Sequence, residues 1–179
     1  MEKPKKKKLV NTITHGDLVF VKSEGLIGKV IRWVTSSNIN HVAFYIGNGL
    51  VIESTLGHGV RILPLDVYLD ELGADVFLGR PIDAFDAWAV ILSSYTYYGV
   101  KYDLWGQIGI LLRHIVRKTG LQRLITFFGK NRINQTGFWC SEFIAVIFRS
   151  VNIKFINMDD TYISPSDIYN SDKVQIIDL

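Results

Sequence analysis

The fold is decided by residues 40–55, which read NHVAFYIGNGLVIEST. Two runs rich in β-branched and aromatic residues flank Gly47-Asn48-Gly49, a pattern that predicts a β-hairpin. A loop of only Asn48 and Gly49 would place Glu53 on the apolar face, where it would bury an unpaired charge. A three-residue loop from Gly47 to Gly49 instead gives one consistent apolar face, through the pairs Ile46 with Leu50, Phe44 with Ile52 and Val42 with Ser54. We therefore predict the three-residue loop.

This register places His41 and Glu53 on the other face of the hairpin. His41 then lies opposite Thr55 and diagonal to Glu53, so the imidazole and the carboxylate can reach each other. A carboxylate in this position can orient an imidazole and decide which of its ring nitrogens carries the proton. The alternative is that the two residues form an ordinary cross-strand pair on a solvated face.

The chain contains a single cysteine, in the segment Phe138-Trp139-Cys140-Ser141-Glu142-Phe143, which we predict to begin an apolar helix. A thiol attacks as its thiolate, and the N-terminus of a helix favours negative charge. With His41 as a base and Glu53 as an orienting group, Cys140 is therefore a candidate nucleophile. The alternative is that Cys140 is a small buried core residue.

Length and composition predict one folded domain. The chain has 179 residues, of which 48% are hydrophobic, enough for a sizeable core. We assign residues 1–14 to a basic disordered arm and residues 15–179 to the domain. A single cysteine excludes an intramolecular disulfide and fits a reducing, cytoplasmic compartment. The start of the chain does not resemble a signal peptide, and no run is long enough to span a membrane.

Charge is distributed unevenly along the chain. The net charge is +3, of which residues 1–8 contribute +4 and residues 104–141 contribute +6, so the remainder carries −7. An acidic body with two basic segments is a poor match to a nucleic-acid-binding domain, which presents a folded basic face. We therefore expect no specific nucleic-acid partner.

The segment 104–137 is predicted to be a helical insertion. Apolar residues recur in it at helical spacing, with arginines away from the apolar stripe: Ile108, Leu112, Ile115 and Val116, then Leu121, Leu124, Ile125 and Phe128. Such a stripe usually packs on a core or forms a lid over a site. Peripheral contact with a membrane surface is the alternative, because cationic amphipathic helices also lie in lipid interfaces.

The remaining segments complete an α+β pattern. The periodicity predicts strands at 16–21, 60–62 and 75–79, and helices at 24–35, 65–72 and 83–98. A further helix begins at Ser164-Pro165-Ser166-Asp167, with Ser164 as its N-cap and Pro165 as its first residue.

Five of these segments together resemble the circularly permuted branch of the NlpC-type papain-like cysteine hydrolases. They are GDLVF at 16–20, HVAFYIGNG at 41–49, VIES at 51–54, GVKYD at 99–103 and WCSEF at 139–143. In that branch the catalytic histidine precedes the cysteine, and a glutamate on the strand after the histidine supplies the third polar group. This chain has His41, Glu53 and Cys140 in that order.

The resemblance implies an α+β, permuted papain-like fold, in which the cysteine helix packs against an antiparallel sheet that carries the histidine. It implies that Cys140 is the nucleophile, His41 the general base and later acid, and Glu53 the group that orients the ring. The backbone N–H of Cys140 is the natural oxyanion donor.

Tyr45, Tyr102 and Trp139 are candidate substrate-binding residues, although core packing is an equal alternative for Tyr102. No cofactor or metal is expected, because a zinc site built from His41, His58 and Cys140 lacks the ligand spacing of known sites.

The expected function is that of a cysteine-dependent amidase or peptidase. The substrate would be a peptide or an N-acyl amino acid, cleaved through a thioester intermediate. One alternative is acyl transfer or ester cleavage on lipids, as in the lecithin retinol acyltransferase relatives, which the apolar insertion would favour. Another is a catalytically silent module that uses the same cleft to bind a partner.

Overall fold

The structure is a computed structural model, and it describes residues 3–23, 38–70, 74–103, 137–157 and 163–179. Within these ranges, six strands form an antiparallel sheet in the order β4-β3-β2-β1-β5-β6. The strands are β1 (Leu18–Lys22), β2 (His41–Gly47), β3 (Leu50–Thr55), β4 (Gly59–Pro64), β5 (Asp75–Pro81) and β6 (Val174–Ile177). The helices are α1 (Lys3–Thr12), α2 (Asp66–Asp70), α3 (Ala87–Tyr95), α4 (Cys140–Arg149) and α5 (Pro165–Tyr169).

The central hairpin is confirmed, but its tip differs from the prediction. Phe44 pairs with Ile52 as predicted, whereas Leu50 pairs with Gly47 instead of Ile46, because a bulge lies between Tyr45 and Gly47. The loop is therefore the two-residue turn Asn48-Gly49, with φ values of 52° and 72°, the positive-φ conformation that Asn-Gly turns favour. The bulge takes up the extra residue, so the register toward His41 and Glu53 is the predicted one.

Each face of the sheet is covered by its own apolar cluster. The first cluster joins Val42, Phe44 and Ile52 to α4. The second joins Ala43, Tyr45 and Val51 to residues of α1 and α2. Because β2 is buried on both faces, its residues alternate between two cores rather than between core and solvent. The predicted α+β class, with the cysteine helix packed on the sheet, is confirmed, since α4 contacts β2 and β3.

The prediction that residues 1–14 are disordered is wrong for Lys3–Thr12, which form α1. Leu9 is fully buried in the second cluster. Lys6 forms ion pairs with Asp66 and Asp70 of α2. The high lysine content of this segment is typical of a solvated, disordered arm. The segment is nevertheless held on the domain by the buried Leu9 and by the two aspartates of α2, and composition alone does not reveal these contacts.

The later elements follow the predicted order: the helix α3 is shorter than the predicted 83–98, whereas β5 extends two residues beyond the predicted 75–79. The capping box at α5 is present, because Ser164 accepts a hydrogen bond from the Asp167 N–H and Asp167 accepts one from the Ser164 N–H. Strand β6 was not predicted; it is four residues long and lies at the edge of the sheet, paired with β5. The predicted helix at 24–35 lies outside the described residues, as does the insertion 104–137 except for Gly137.

A search of the described ranges for a bilayer-spanning helix finds none with the required length and hydrophobicity.

Replacing Leu9 with Ala tests whether α1 is anchored. A fully buried leucine truncated in this way costs about 2 to 5 kcal/mol of unfolding free energy. The matched control is Val10→Ala, since Val10 is 49% exposed and should change stability by less than about 0.5 kcal/mol. Urea unfolding measures both variants, and equal effects would show that α1 does not pack as described.

Candidate active site

The segment before α4 is held by two neighbouring segments of the chain. Gly137 forms a bridge with Lys101, and the Phe138 N–H donates to the Lys101 carbonyl at 3.1 Å. The Ser54 hydroxyl donates to the Phe138 carbonyl at 2.6 Å. A Cβ at position 137 would collide with the Lys101 carbonyl oxygen, so this close approach requires glycine. The GVKYD segment and β3 together therefore decide where α4 begins.

Cys140 is the first residue of α4, as predicted. Its N-cap residue, Trp139, makes no side-chain capping hydrogen bond, and the N–H of the first helical residue has no acceptor within the helix. This N–H is therefore available to an oxyanion, and the positive end of the helix dipole favours a thiolate at the same position. Cys140 is a free cysteine and only 3% exposed.

The His41 ring connects the thiol to the buried carboxylate. Its Nε2 is hydrogen-bonded to Oε2 of Glu53, and Cys140 is both a hydrogen-bond partner and a charge partner of the same ring. Because Nε2 faces Glu53, the nitrogen that remains for the thiol is Nδ1. The structure thus brings together the three residues that the sequence proposed as a catalytic set.

Glu53 is 1% exposed and is surrounded by hydrogen-bond donors. Besides His41, the hydroxyl of Tyr68 donates to Oε2, and Nε of Arg61 donates to Oε1 at 2.8 Å. The alternative of a cross-strand pair on a solvated face is therefore wrong, because the carboxylate lies inside the protein and is neutralised there.

The charges of this cluster shift two pKa values strongly. Burial alone would raise the pKa of Glu53, but the charge of His41 and hydrogen bonds from His41, Tyr68 and Arg61 outweigh it and lower the pKa from 4.5 to about 2. Burial alone would lower the pKa of His41, but the charges of Glu53 and Cys140 and hydrogen bonds to both raise it from 6.5 to about 10. At neutral pH the ring is therefore an imidazolium, which places a positive charge beside Cys140.

The three candidate substrate-binding residues lie in different parts of the structure. Tyr102 is half-buried near the site, since its pKa is raised by burial and by the negative charges of Cys140, Asp103 and Glu53. Tyr45 lies at the opposite end of β2, about 13 Å of strand from His41, where its hydroxyl accepts a hydrogen bond from Gly49. Trp139 is buried and donates to the Ile163 carbonyl at 3.2 Å. Tyr45 therefore lies away from His41, and the indole of Trp139 is held by the backbone of Ile163.

Two residues of the site were missed in the sequence. Arg61 lies directly opposite Glu53 in the β3–β4 register, and working out the turn after Thr55 would have revealed this pair. Tyr68 is part of an apolar stripe with Leu65 and Leu69, and the sequence contains no signal that its hydroxyl is needed. It was therefore indistinguishable from a core residue.

An antiparallel sheet that presents a histidine and a glutamate to a cysteine at the start of a packed helix defines the papain-like class of hydrolase sites, here in permuted order. Residues 12–176 match the model of the permuted papain-like amidase enzymes of the YaeF/YiiX type, the C92 family. The chain belongs to this family. The permuted papain-like part of the resemblance is confirmed, and YaeF/YiiX replaces NlpC as the name of its type.

A solved structure agrees with this assignment at the level of the fold. The crystal structure of metalloprotein yiiX from Escherichia coli O157:H7 superimposes with a TM-score of 0.64 at 12% sequence identity. The alignment covers 92% of this chain and 96% of that one. Among curated proteins, none matches this chain.

Because that neighbour is called a metalloprotein, the question of a metal arises for this chain as well. Within the part of the chain that the structure describes, no group of three His, Cys, Asp or Glu side chains could hold a metal ion. Moreover, Nε2 of His41 and both oxygens of Glu53 already have partners within the protein. The described residues of the site therefore do not fit a resident metal.

The raised pKa of His41 predicts a pH dependence of stability. Its folded pKa of about 10 exceeds the ordinary 6.5, so its contribution is complete below pH 6.5 and is lost as the pH rises through 10. Unfolding free energies should be compared for Cys140→Ala, which has no thiol to titrate and in which Glu53 remains to raise the pKa of His41, and for Cys140→Ala with His41→Gln. The difference between them should shrink by more than about 1 kcal/mol from pH 6 to pH 10. A constant difference would mean that the imidazole is not stabilised in its charged form.

Proposed function

We propose that this protein is a cysteine-dependent amidase that hydrolyses an amide bond in a peptide or an N-acyl amino acid. Membership of the permuted papain-like amidase family supports the class of reaction. The observation that carries the proposal is the meeting of the Cys140 thiol, the His41 ring and the Glu53 carboxylate, which come from α4, β2 and β3.

In the proposed reaction, the Cys140 thiolate attacks the carbonyl carbon of the amide and a C–S bond forms. The oxygen of the tetrahedral intermediate becomes negative and accepts a hydrogen bond from the Cys140 N–H. The His41 imidazolium gives its Nδ1 proton to the amide nitrogen, so the C–N bond breaks and the amine leaves a thioester behind.

The second half of the cycle removes the acyl group. Neutral His41 takes a proton from a water molecule at Nδ1 while the water oxygen attacks the thioester carbon. The C–S bond then breaks, the carboxylic acid is released, and the thiolate and imidazolium are restored. Throughout, Glu53 stays ionised and holds Nε2, which keeps Nδ1 toward the sulfur. Since the nucleophile must stay reduced, we propose that the protein acts in a reducing compartment.

One observation favours a second candidate function. Cys140 is 3% exposed, a value that also suits a silent module whose thiol only fills space. The lipid acyltransferase alternative rests on the insertion 104–137, which lies outside the described residues apart from Gly137. The reactivity of the thiol distinguishes the amidase from the silent module. The fate of an acyl-enzyme distinguishes the amidase from the lipid acyltransferase.

The reactivity of Cys140 toward iodoacetamide tests whether it is a nucleophile. In the wild type, alkylation near pH 6.5 should be at least about tenfold faster than in His41→Ala, because the imidazolium stabilises the reactive thiolate. His58→Ala is the matched control, since His58 is exposed in the β3–β4 turn, and its rate should equal that of the wild type. Slow alkylation that is the same in all three proteins would support the binding module instead.

An acyl-enzyme should be detectable with the right donor. Incubation with libraries of peptide amides and of acyl lipids, followed by intact-mass spectrometry, should show an adduct with a peptide or N-acyl amide that is absent from Cys140→Ala. Water should release it as a carboxylic acid. An adduct that forms only with acyl lipids, or that is released only to an added alcohol or amine acceptor, would overturn the amidase assignment in favour of the acyltransferase.

A further inference from the structure

Tyr68 is the described residue that contacts both partners of the orienting pair. Its hydroxyl donates a hydrogen bond to Oε2 of Glu53 and lies 3.1 Å from Nε2 of His41. The two rings are tilted by 43°, with their centroids 5.8 Å apart. A carboxylate oxygen has two lone pairs, so Oε2 can accept from Tyr68 and from His41 at the same time.

The geometry of the other donor explains why a second anchor is needed. Nε of Arg61 binds Oε1 alone, and its side chain is 33% exposed. Without Tyr68, only the His41 ring itself would contact Oε2, so the carboxylate and the ring could rotate together about the Arg61 contact. The Tyr68 hydroxyl holds the other oxygen, so the two donors together fix the plane of the carboxylate.

We propose that Tyr68 is a positioning residue for the reaction: its hydroxyl holds Oε2 of Glu53 against Nε2 of His41, so that Nδ1 stays turned toward Cys140. The inference rests on the proposed function, because it assigns Tyr68 a part in that chemistry. It acts through Glu53 and does not contact the reacting sulfur.

The fold presents Tyr68 to the site from a firmly held element. Helix α2 follows β4 directly, and the side chains of Leu65 and Leu69 on either side of Tyr68 are buried in the second apolar cluster. Lys6 of α1 pairs with Asp66 and Asp70 at the two ends of the same short helix. Burial and the charge of Glu53 raise the pKa of Tyr68 well above its ordinary value, so the hydroxyl remains a donor at any pH at which the enzyme would work.

The test is the alkylation rate of Cys140 in Tyr68→Phe, measured with iodoacetamide at two pH values. Near pH 6.5 the thiolate depends on a well-placed imidazolium, so the rate should fall about three- to tenfold. Near pH 9 an ordinary thiol ionises without help, so the rate should change less than about twofold. A loss that is equal at both pH values would indicate a general structural disturbance and would overturn the proposal.

Tyr45→Phe is the matched control. Tyr45 is also a buried tyrosine whose hydroxyl makes a hydrogen bond, but that bond goes to the turn at Gly49. This variant should alkylate at the rate of the wild type at both pH values. Phenylalanine fills almost the volume of tyrosine, so Tyr68→Phe should fold as Tyr45→Phe does. If Tyr68→Phe fails to fold while Tyr45→Phe folds, the role of Tyr68 is structural and the proposal is wrong.

A double-mutant cycle shows whether Tyr68 acts through Glu53. In the Glu53→Gln background, the change Tyr68→Phe should alter the rate near pH 6.5 less than about twofold, because the group that it positions is absent. An undiminished effect would contradict the proposal. His41→Ala separates this result from a failure of the proposed function. If Cys140 is alkylated in His41→Ala at the rate of the wild type, the proposed amidase function is wrong. If alkylation is slow in His41→Ala but unchanged in Tyr68→Phe, only the role of Tyr68 is refuted.

Discussion

The structure depends on one buried negative charge. Glu53 is 1% exposed, and an isolated carboxylate in that position would be very costly, because burial removes its hydration. Donors from three further elements offset this cost: His41 from β2, Arg61 from β4 and Tyr68 from α2. The same contacts keep the carboxylate ionised and charge the imidazole. The contacts that stabilise the buried charge of Glu53 are therefore the same contacts that keep His41 protonated.

The two sides of the sheet contribute different parts of the site. Cys140 belongs to the first apolar cluster together with α4, whereas Tyr68 belongs to the second. His41 begins β2 and interacts with groups from both sides, Cys140 on one and Glu53 on the other. The imidazole therefore connects the nucleophile to the buried carboxylate. The bulge between Tyr45 and Gly47 matters because it restores the register in which Phe44 pairs with Ile52, and this register brings His41 and Glu53 to the same face.

How much of this was predictable depends on the range of each interaction. Apolar alternation placed His41 and Glu53 on one face and predicted the helix start at Cys140, because both depend on local patterns. The predicted three-residue loop is instead the two-residue turn Asn48-Gly49 preceded by a bulge. The apolar pattern does not distinguish them, because both pair Phe44 with Ile52. The face of Glu53 was expected to be solvated or to form a cleft, but the carboxylate is buried and hydrogen-bonded to Arg61 and Tyr68, which belong to the next two elements of the chain.

Side-chain hydroxyls and charged anchors were the hardest features to predict. Tyr68 has the spacing of a core residue and is one, and only its oxygen has a second role. The basic segment at the start of the chain has the composition of a solvated arm, yet Leu9 and the acidic residues of α2 fix it as a helix. Both cases require knowledge of which surfaces meet, and local sequence patterns do not contain it.

The most direct test of this account is an NMR titration of the His41 ring, assigned by comparison with His41→Gln. The account predicts a pKa near 10 in the wild type and a fall toward the ordinary 6.5 when Glu53→Gln removes the carboxylate charge. A wild-type value near 6.5 that does not respond to Glu53→Gln would show that the buried carboxylate does not charge the imidazole, and the proposed catalytic set would lose its physical basis.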